Sequence, residues 1–256
     1  MGIVEETNRS DLKVRQQVIS IMGEMGRAFD GGYAEYVLLP DEQVYPVRTE
    51  LTLESLIALP ETYYTAFGSY LDLKIEEGDR VLVRAATSGV GIAFAKLLKG
   101  QFLNVYLAGS SRSLGKEEQL KEVGFDQVIL DKDGVLQTEE QFDKVLDLVG
   151  PNAILDTFAR TADGGMICSC GLLGGQWTIP DFDPIEMLYR NLYLTTFASG
   201  NVSRDKLQAL VDFVEQYQVD VRPEKVFSIE QIQDAHAYLE SSQSFGKVIV
   251  INKEKK

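Results

Sequence analysis

The chain has 256 residues, 45% of them hydrophobic and 25% charged, with 39 acidic against 25 basic side chains and a formal net charge of −14. That is enough chain to bury about three-quarters of its unfolded surface, so one large domain or two unequal ones are expected. The acidic excess argues against nucleic acid as a partner, and no apolar run reaches the roughly 18 residues of a membrane span. With no signal segment at the front and only Cys168 and Cys170 as thiols, the expected setting is the cytoplasm.

The first fifty residues lack helical period and read as β-rich. Gln17–Ile21 and Tyr33–Leu39 are the strand-like runs, the second entered through Gly31-Gly32 and closed by Pro40. Thr52 is placed to cap a helix over Leu53–Ala58, and another helix begins after Pro60. From residue 80 strands and helices alternate. Strands are predicted at 80–86, 104–108, 127–130, 143–148, 165–170 and 192–198, and helices near 90–99, 113–123 and 151–162. Such alternation predicts an α/β fold with a parallel sheet covered on both faces. Leu207, Leu210, Val211 and Val214 set the apolar stripe of a helix at 203–217; Ser228 and Gln231 form a capping box for one at 229–241; Lys247–Ile251 is a last strand.

Residues 80–116 carry the chemistry. A buried strand runs into Thr87-Ser88-Gly89-Val90-Gly91, which opens an apolar-striped helix. That order builds a pyrophosphate pocket, because glycines let the anion approach main-chain N–H groups at a helix N-terminus. The second strand of such a unit ends roughly 20 residues on, where an acid would accept from the ribose hydroxyls of NAD. Here Asn104–Ala108 leads instead into Gly109-Ser110-Ser111-Arg112, with Lys116 beyond. Arginine, lysine and two serines suit a 2′-phosphate, so the expected cofactor is NADP(H). Glycine turns of this kind also open flavodoxin-like and methyltransferase domains, and the latter would take S-adenosylmethionine instead.

Taken in chain order, several pieces resemble the medium-chain dehydrogenase/reductase superfamily, in its zinc-independent quinone oxidoreductase branch. They are Gly31–Tyr36, Leu59-Pro60 with Thr65-Ala66, Ala85–Gly91, Asp147–Gly150, Gly164-Gly165 with Gly171, and Ala235-His236 with Gly246-Lys247. The resemblance implies a Rossmann-type doubly wound parallel sheet over 51–218. It also implies a partial GroES-like β-rich substrate domain over 1–50, to which 219–256 returns. The pyrophosphate would lie on Thr87, Ser88, Gly89, Val90 and Gly91, and the 2′-phosphate among Ser111, Arg112 and Lys116; the residue reading adds Ser110 as a further hydroxyl. Leu148 and Gly150 would lie by the adenine ribose or the dinucleotide backbone. Thr65, Cys170, Gly171, Leu172 and Phe197 would line the nicotinamide end. Met1–Glu6 resembles the middle of the family's N-terminal domain, so several strands and half of the usual substrate cleft are expected to be absent.

The implied activity is hydride transfer from NADPH to a quinone or an α,β-unsaturated carbonyl, by a homodimer. A catalytically impaired NADP-binding module with a structural or regulatory role is the alternative. No metal site is expected: His236 is the one histidine and is read as a helix-surface residue, and the two cysteines as small buried hydrophobes. No catalytic acid can be named. Tyr33, Tyr36, Tyr63 and Tyr64 qualify by type, with core packing the expected role of each.

Overall fold

The computed structural model describes residues 1–241 and 243–252. They fall into two compact units, Thr65–Ala198, and Met1–Tyr64 with Ser199–Lys256. Among the described residues no helix is long and apolar enough to cross a membrane.

In chain order the elements begin with β1 (Gly2–Ile3), β2 (Gln17–Ile19) and β3 (Tyr45–Pro46), a small antiparallel sheet in the order β1-β2-β3. Then come α1 (Leu53–Ala58) and α2 (Thr62–Leu73). Thr52 caps α1 as its sequence suggests, its hydroxyl accepting from the Ser55 N–H.

The expected strand over Tyr33–Leu39 does not form. The segment is irregular and largely exposed, with Leu38 92% accessible. Its alternating sequence suits a strand, but a strand needs a neighbour for its N–H and C=O rows, and none pairs with it among the described residues. Tyr33 and Tyr36 are consequently exposed, which corrects the core role expected of them; Tyr63 and Tyr64 are buried as expected.

The Thr65–Ala198 unit holds β4 (Arg80–Arg84), α3 (Gly89–Gln101), β5 (Tyr106–Ser111), α4 (Glu117–Val123), β6 (Gln127–Lys132), β7 (Val135–Leu136), β8 (Phe142–Asp147), α5 (Ile154–Ala159), β9 (Thr161–Ser169), α6 (Pro184–Met187) and β10 (Tyr193–Thr195). Its seven strands run β10-β9-β8-β4-β5-β6-β7, all parallel except the β6–β7 pairing. Every residue of β4 past Arg80 is buried, as a strand covered on both faces requires. On one face Leu82, Ala108, Ile129, Val145 and Ile167 pack with Ile154 and Phe158 of α5. The sheet grows from β4 towards β5 and β6, then restarts at β8 on the other side of β4. The C-terminal ends of β4 and β8 therefore flank the point where strand order reverses, the place where open α/β sheets bind ligands.

The chain closes with α7 (Arg204–Gln216), β11 (Lys225–Ser228), α8 (Ile232–Glu240) and β12 (Val248–Ile251). Strands β11 and β12 pair in parallel across α8. Leu207, Leu210, Val211 and Val214 form the buried stripe of α7, and the Ser228–Gln231 capping box is present.

Candidate coenzyme site

The glycine turn forms where its sequence places it. Ala85, directly after β4, adopts a left-handed backbone at φ 60° and turns the chain out of the sheet. Ser88 then caps α3, its hydroxyl accepting from the Gly91 N–H at 3.1 Å, while the Ser88 N–H donates to the Ala85 carbonyl at 3.0 Å. Of the four N–H groups that a helix start leaves over, these arrangements use two. Those of Gly89 and Val90 have no acceptor within the helix, and their partial positive charge suits an anion.

Gly91 has a different task from the one its motif suggests. A Cβ there would sit 2.8 Å from the Ala86 carbonyl oxygen and 3.0 Å from that of Ala85. Gly91 is required for close packing of the helix on its own turn, not only for access by a phosphate. Since the obstructing atoms are backbone, Gly91→Ala is expected to cost about 1–3 kcal/mol of stability and to displace the start of α3. Urea unfolding checks this; an unchanged midpoint would refute the close fit.

At the tip of β5 the four expected 2′-phosphate residues separate. Ser110 is buried and serves the turn: its hydroxyl accepts from the Ala85 N–H at 3.2 Å and its carbonyl from the Ala86 N–H at 2.9 Å. Ser111, the next residue, is buried as well. Ser111 closes the strand, Arg112 is exposed just beyond it, and Lys116 stands at the N-cap of α4, which starts at Glu117 rather than 113. Strand β5 is held from below by Lys99, whose ammonium donates to Val105 O at 2.8 Å and to Asp126 at 2.9 Å.

On the other side of the reversal point, the ends of β8 and β9 run together. Cys170 N–H donates to Asp147 O at 3.1 Å, Leu173 N–H to Leu148 O at 3.1 Å and Gly174 N–H to Val149 O at 2.9 Å. The approach is close enough that a Cβ on Gly171 would fall 2.2 Å from Leu148 O, and one on Gly150, at φ 84°, would fall 2.4 Å from Gly171 O. Leu148, Gly150, Gly171 and Leu172 are thus one assembly. Cys170 joins it to α2, its Sγ lying 3.3 Å from the Ser69 hydroxyl, which donates to Thr65 O at 2.9 Å. Phe197 packs on α2 as well, against Gly68. The hydrogen bond that the Cys168 thiol donates to Cys170, together with burial, pushes that thiol up from its ordinary value.

One participant was not singled out by its sequence. Arg84, at the end of β4, is 0% exposed and bonds to Asp131, Asp156, Thr157 and the carbonyls of Ala153 and Gly134. The available signal was a charged residue closing a strand after the apolar run Val81-Leu82-Val83.

Residues 123–250, half of the chain, match the zinc-binding dehydrogenase family. The chain belongs to that family. It falls in the quinone oxidoreductase-like branch of the medium-chain dehydrogenase/reductase superfamily. It is 27% identical over 183 residues to the putative quinone oxidoreductase YhfP of Bacillus subtilis, covering 68% of this chain and 55% of that one. The crystal structure of YhfP with NAD bound matches at a TM-score of 0.84, with 24% identity, over 97% of this chain and 78% of that chain. The 2-methylene-furan-3-one reductase of Solanum lycopersicum is 29% identical over 227 residues, 86% of this chain and 52% of that one. The yhdH oxidoreductase of Salmonella enterica in complex with NADP has a TM-score of 0.82 at 18% identity, over 98% of this chain and 80% of that chain. This chain therefore spans about half the length of both sequence relatives. Despite the family's description, its residues do not fit zinc: among those described, no three His, Cys, Asp or Glu side chains gather as ligands. His236 is exposed on α8, its Nε2 3.0 Å from the Tyr33 hydroxyl.

Proposed function

We propose that this member of the family is a cytoplasmic, homodimeric, zinc-independent reductase that uses NADPH to reduce a quinone or an α,β-unsaturated carbonyl. The observation that carries the reading is the Ser88-capped helix start, with the Gly89 and Val90 N–H groups left over, beside a strand tip bearing Arg112 where NAD-selective units carry an acid. The turn at 87–91 would hold the diphosphate, and Ser111, Arg112 and Lys116 the 2′-phosphate. Leu148 and Gly150 would border the adenosine, and Thr65, Cys170, Gly171, Leu172 and Phe197 the nicotinamide. Support also comes from the names of the relatives, a quinone oxidoreductase and an enone-type reductase, and from the NAD and NADP in the two similar structures.

The dihydronicotinamide supplies the hydride when bound. This chain contributes orientation and an apolar rim from Leu172 and Phe197, and solvent protonates the product. A second reading, nucleotide binding without turnover, is favoured by the irregular, exposed Tyr33–Leu39 segment of the unit expected to hold the acceptor. Mixing the protein with NADPH and phenanthrenequinone or an enal decides between them. Acceptor-dependent loss of NADPH absorbance, at a turnover on the order of 1–10 per second, is the expected result. Binding without consumption would overturn it in favour of the second reading, and absence of binding would overturn both.

A further inference from the structure

Arg84 ends β4 opposite Asp147, which ends β8 in the neighbouring register position. Its Nη2 donates to Asp131 Oδ2 at 2.7 Å and to Gly134 O at 3.0 Å. Its Nη1 faces Ala153 O at 3.0 Å, Thr157 Oγ1 at 2.9 Å and Asp156 Oδ2 at 3.1 Å. The Thr157 hydroxyl has one hydrogen. It lies 2.8 Å from Asp147 Oδ2 and 3.2 Å from Ala153 O, and the shorter contact, to a carboxylate, is the stronger acceptor. The other oxygen of Asp147 accepts from the N–H groups of Val149 at 2.9 Å and Gly150 at 2.8 Å.

An unbroken run of hydrogen bonds therefore leads from a buried guanidinium, through one hydroxyl and one buried carboxylate, to the main chain of the 147–150 turn. That turn has no slack on its far side, because Gly171 and Gly174 press against Leu148 and Val149. The same guanidinium grips the β6–β7 turn, where Asp131 Oδ1 also accepts from the Gly134 N–H at 2.9 Å. It directly precedes the Ala85–Gly91 turn in sequence. One side chain thus ties together two turns at the C-terminal edge of the sheet, on both sides of the strand-order reversal, and its backbone leads into a third.

We propose that Arg84 is a positioning residue which, acting through Thr157 and Asp147, holds the 147–150 turn in the geometry that the coenzyme requires, without touching the coenzyme itself. The inference rests on the pyridine-nucleotide reading for its ligand, but not for the relay. Displacement of a positioning turn by about an ångström weakens binding and catalysis far more than the lost hydrogen bond would suggest.

Thr157→Val removes the hydroxyl and keeps the shape, whereas Thr157→Ser keeps the hydroxyl. NADPH is titrated calorimetrically into wild type and both variants, and amide hydrogen exchange at Val149 and Gly150 is followed without nucleotide, with Leu82 and Val145 as internal references. The expected result for Thr157→Val is a dissociation constant raised about tenfold and exchange at the two turn amides accelerated about tenfold relative to the references. Thr157→Ser is expected to stay within about twofold of wild type. If Thr157→Val does not fold, Arg84→Lys, which keeps the charge but loses the fork, is expected to speed exchange at the same two amides. Unchanged NADPH affinity in a folded Thr157→Val protein, or exchange at Val149 and Gly150 that follows the references in the folded variant, would overturn the proposal. A wild-type chain that binds no NADPH would refute the coenzyme reading, while the exchange measurement still decides the relay.

Discussion

Arg112→Glu is expected to weaken NADPH binding about a hundredfold while changing NADH binding less than about threefold. A charge-assisted contact to a phosphate contributes about 1.5–3 kcal/mol, and 2.7 kcal/mol corresponds to roughly a hundredfold in affinity. Glutamate removes that contact and adds repulsion of the same dianion; at this position it would instead accept hydrogen bonds from the ribose hydroxyls of NADH. The geometry permits the exchange, because Arg112 is exposed beyond the end of β5 and the turn itself is held by Ser110. Titration of both coenzymes into both proteins checks it. Equal losses for the two would move the 2′-phosphate away from β5.

Arg84→Met should produce the largest loss of stability, about 3–5 kcal/mol, because breaking a buried pair strands the partner charges. The side chains of Asp131 and Asp156 are only 7% and 11% exposed. Asp156 keeps a weaker partner in Arg160 at 3.6 Å, whereas Asp131 has no second ion pair among the described residues. Neutralising Asp131 as Asn in the Arg84→Met background should therefore recover part of the loss. Urea unfolding of the single and double variants tests this; a loss below about 1 kcal/mol for Arg84→Met would mean that the cluster is solvated. Asp147 shares the setting. Burial pushes its carboxyl up, while bonds from Gly150, Val149 and Thr157 and the charge of Arg84 hold it down.

What could be read from the residues was whatever depends on local order. The strand, glycine turn and helix at 80–101 are encoded by consecutive residues, and so are the caps at Thr52 and Ser228. Tyr33–Leu39 was misread because a strand is a property of two segments, and alternation in one says nothing about its partner. The helix expected at 151–162 shortens to Ile154–Ala159, since Val149 and Gly150 give their N–H groups to Asp147 and Ala153 N–H bonds Gly150 O in a turn. Strand β9 begins at Thr161, four residues before its expected start: Thr161 pairs with Phe142 of β8, residues 162–165 bulge out of register, and pairing resumes at Met166. The role of Arg84 was hidden because its partners lie 47 to 73 positions away.

The division of the chain has a kinetic corollary. Thr65–Ala198 is one uninterrupted stretch, so its sheet can close as soon as that stretch leaves the ribosome. The other unit is split in sequence and is completed only when β12 pairs with β11. Refolding should accordingly show an early phase reported by the parallel sheet and a later one reported by the discontinuous unit, whose closure spans contacts such as Arg48–Gln208, 160 residues apart.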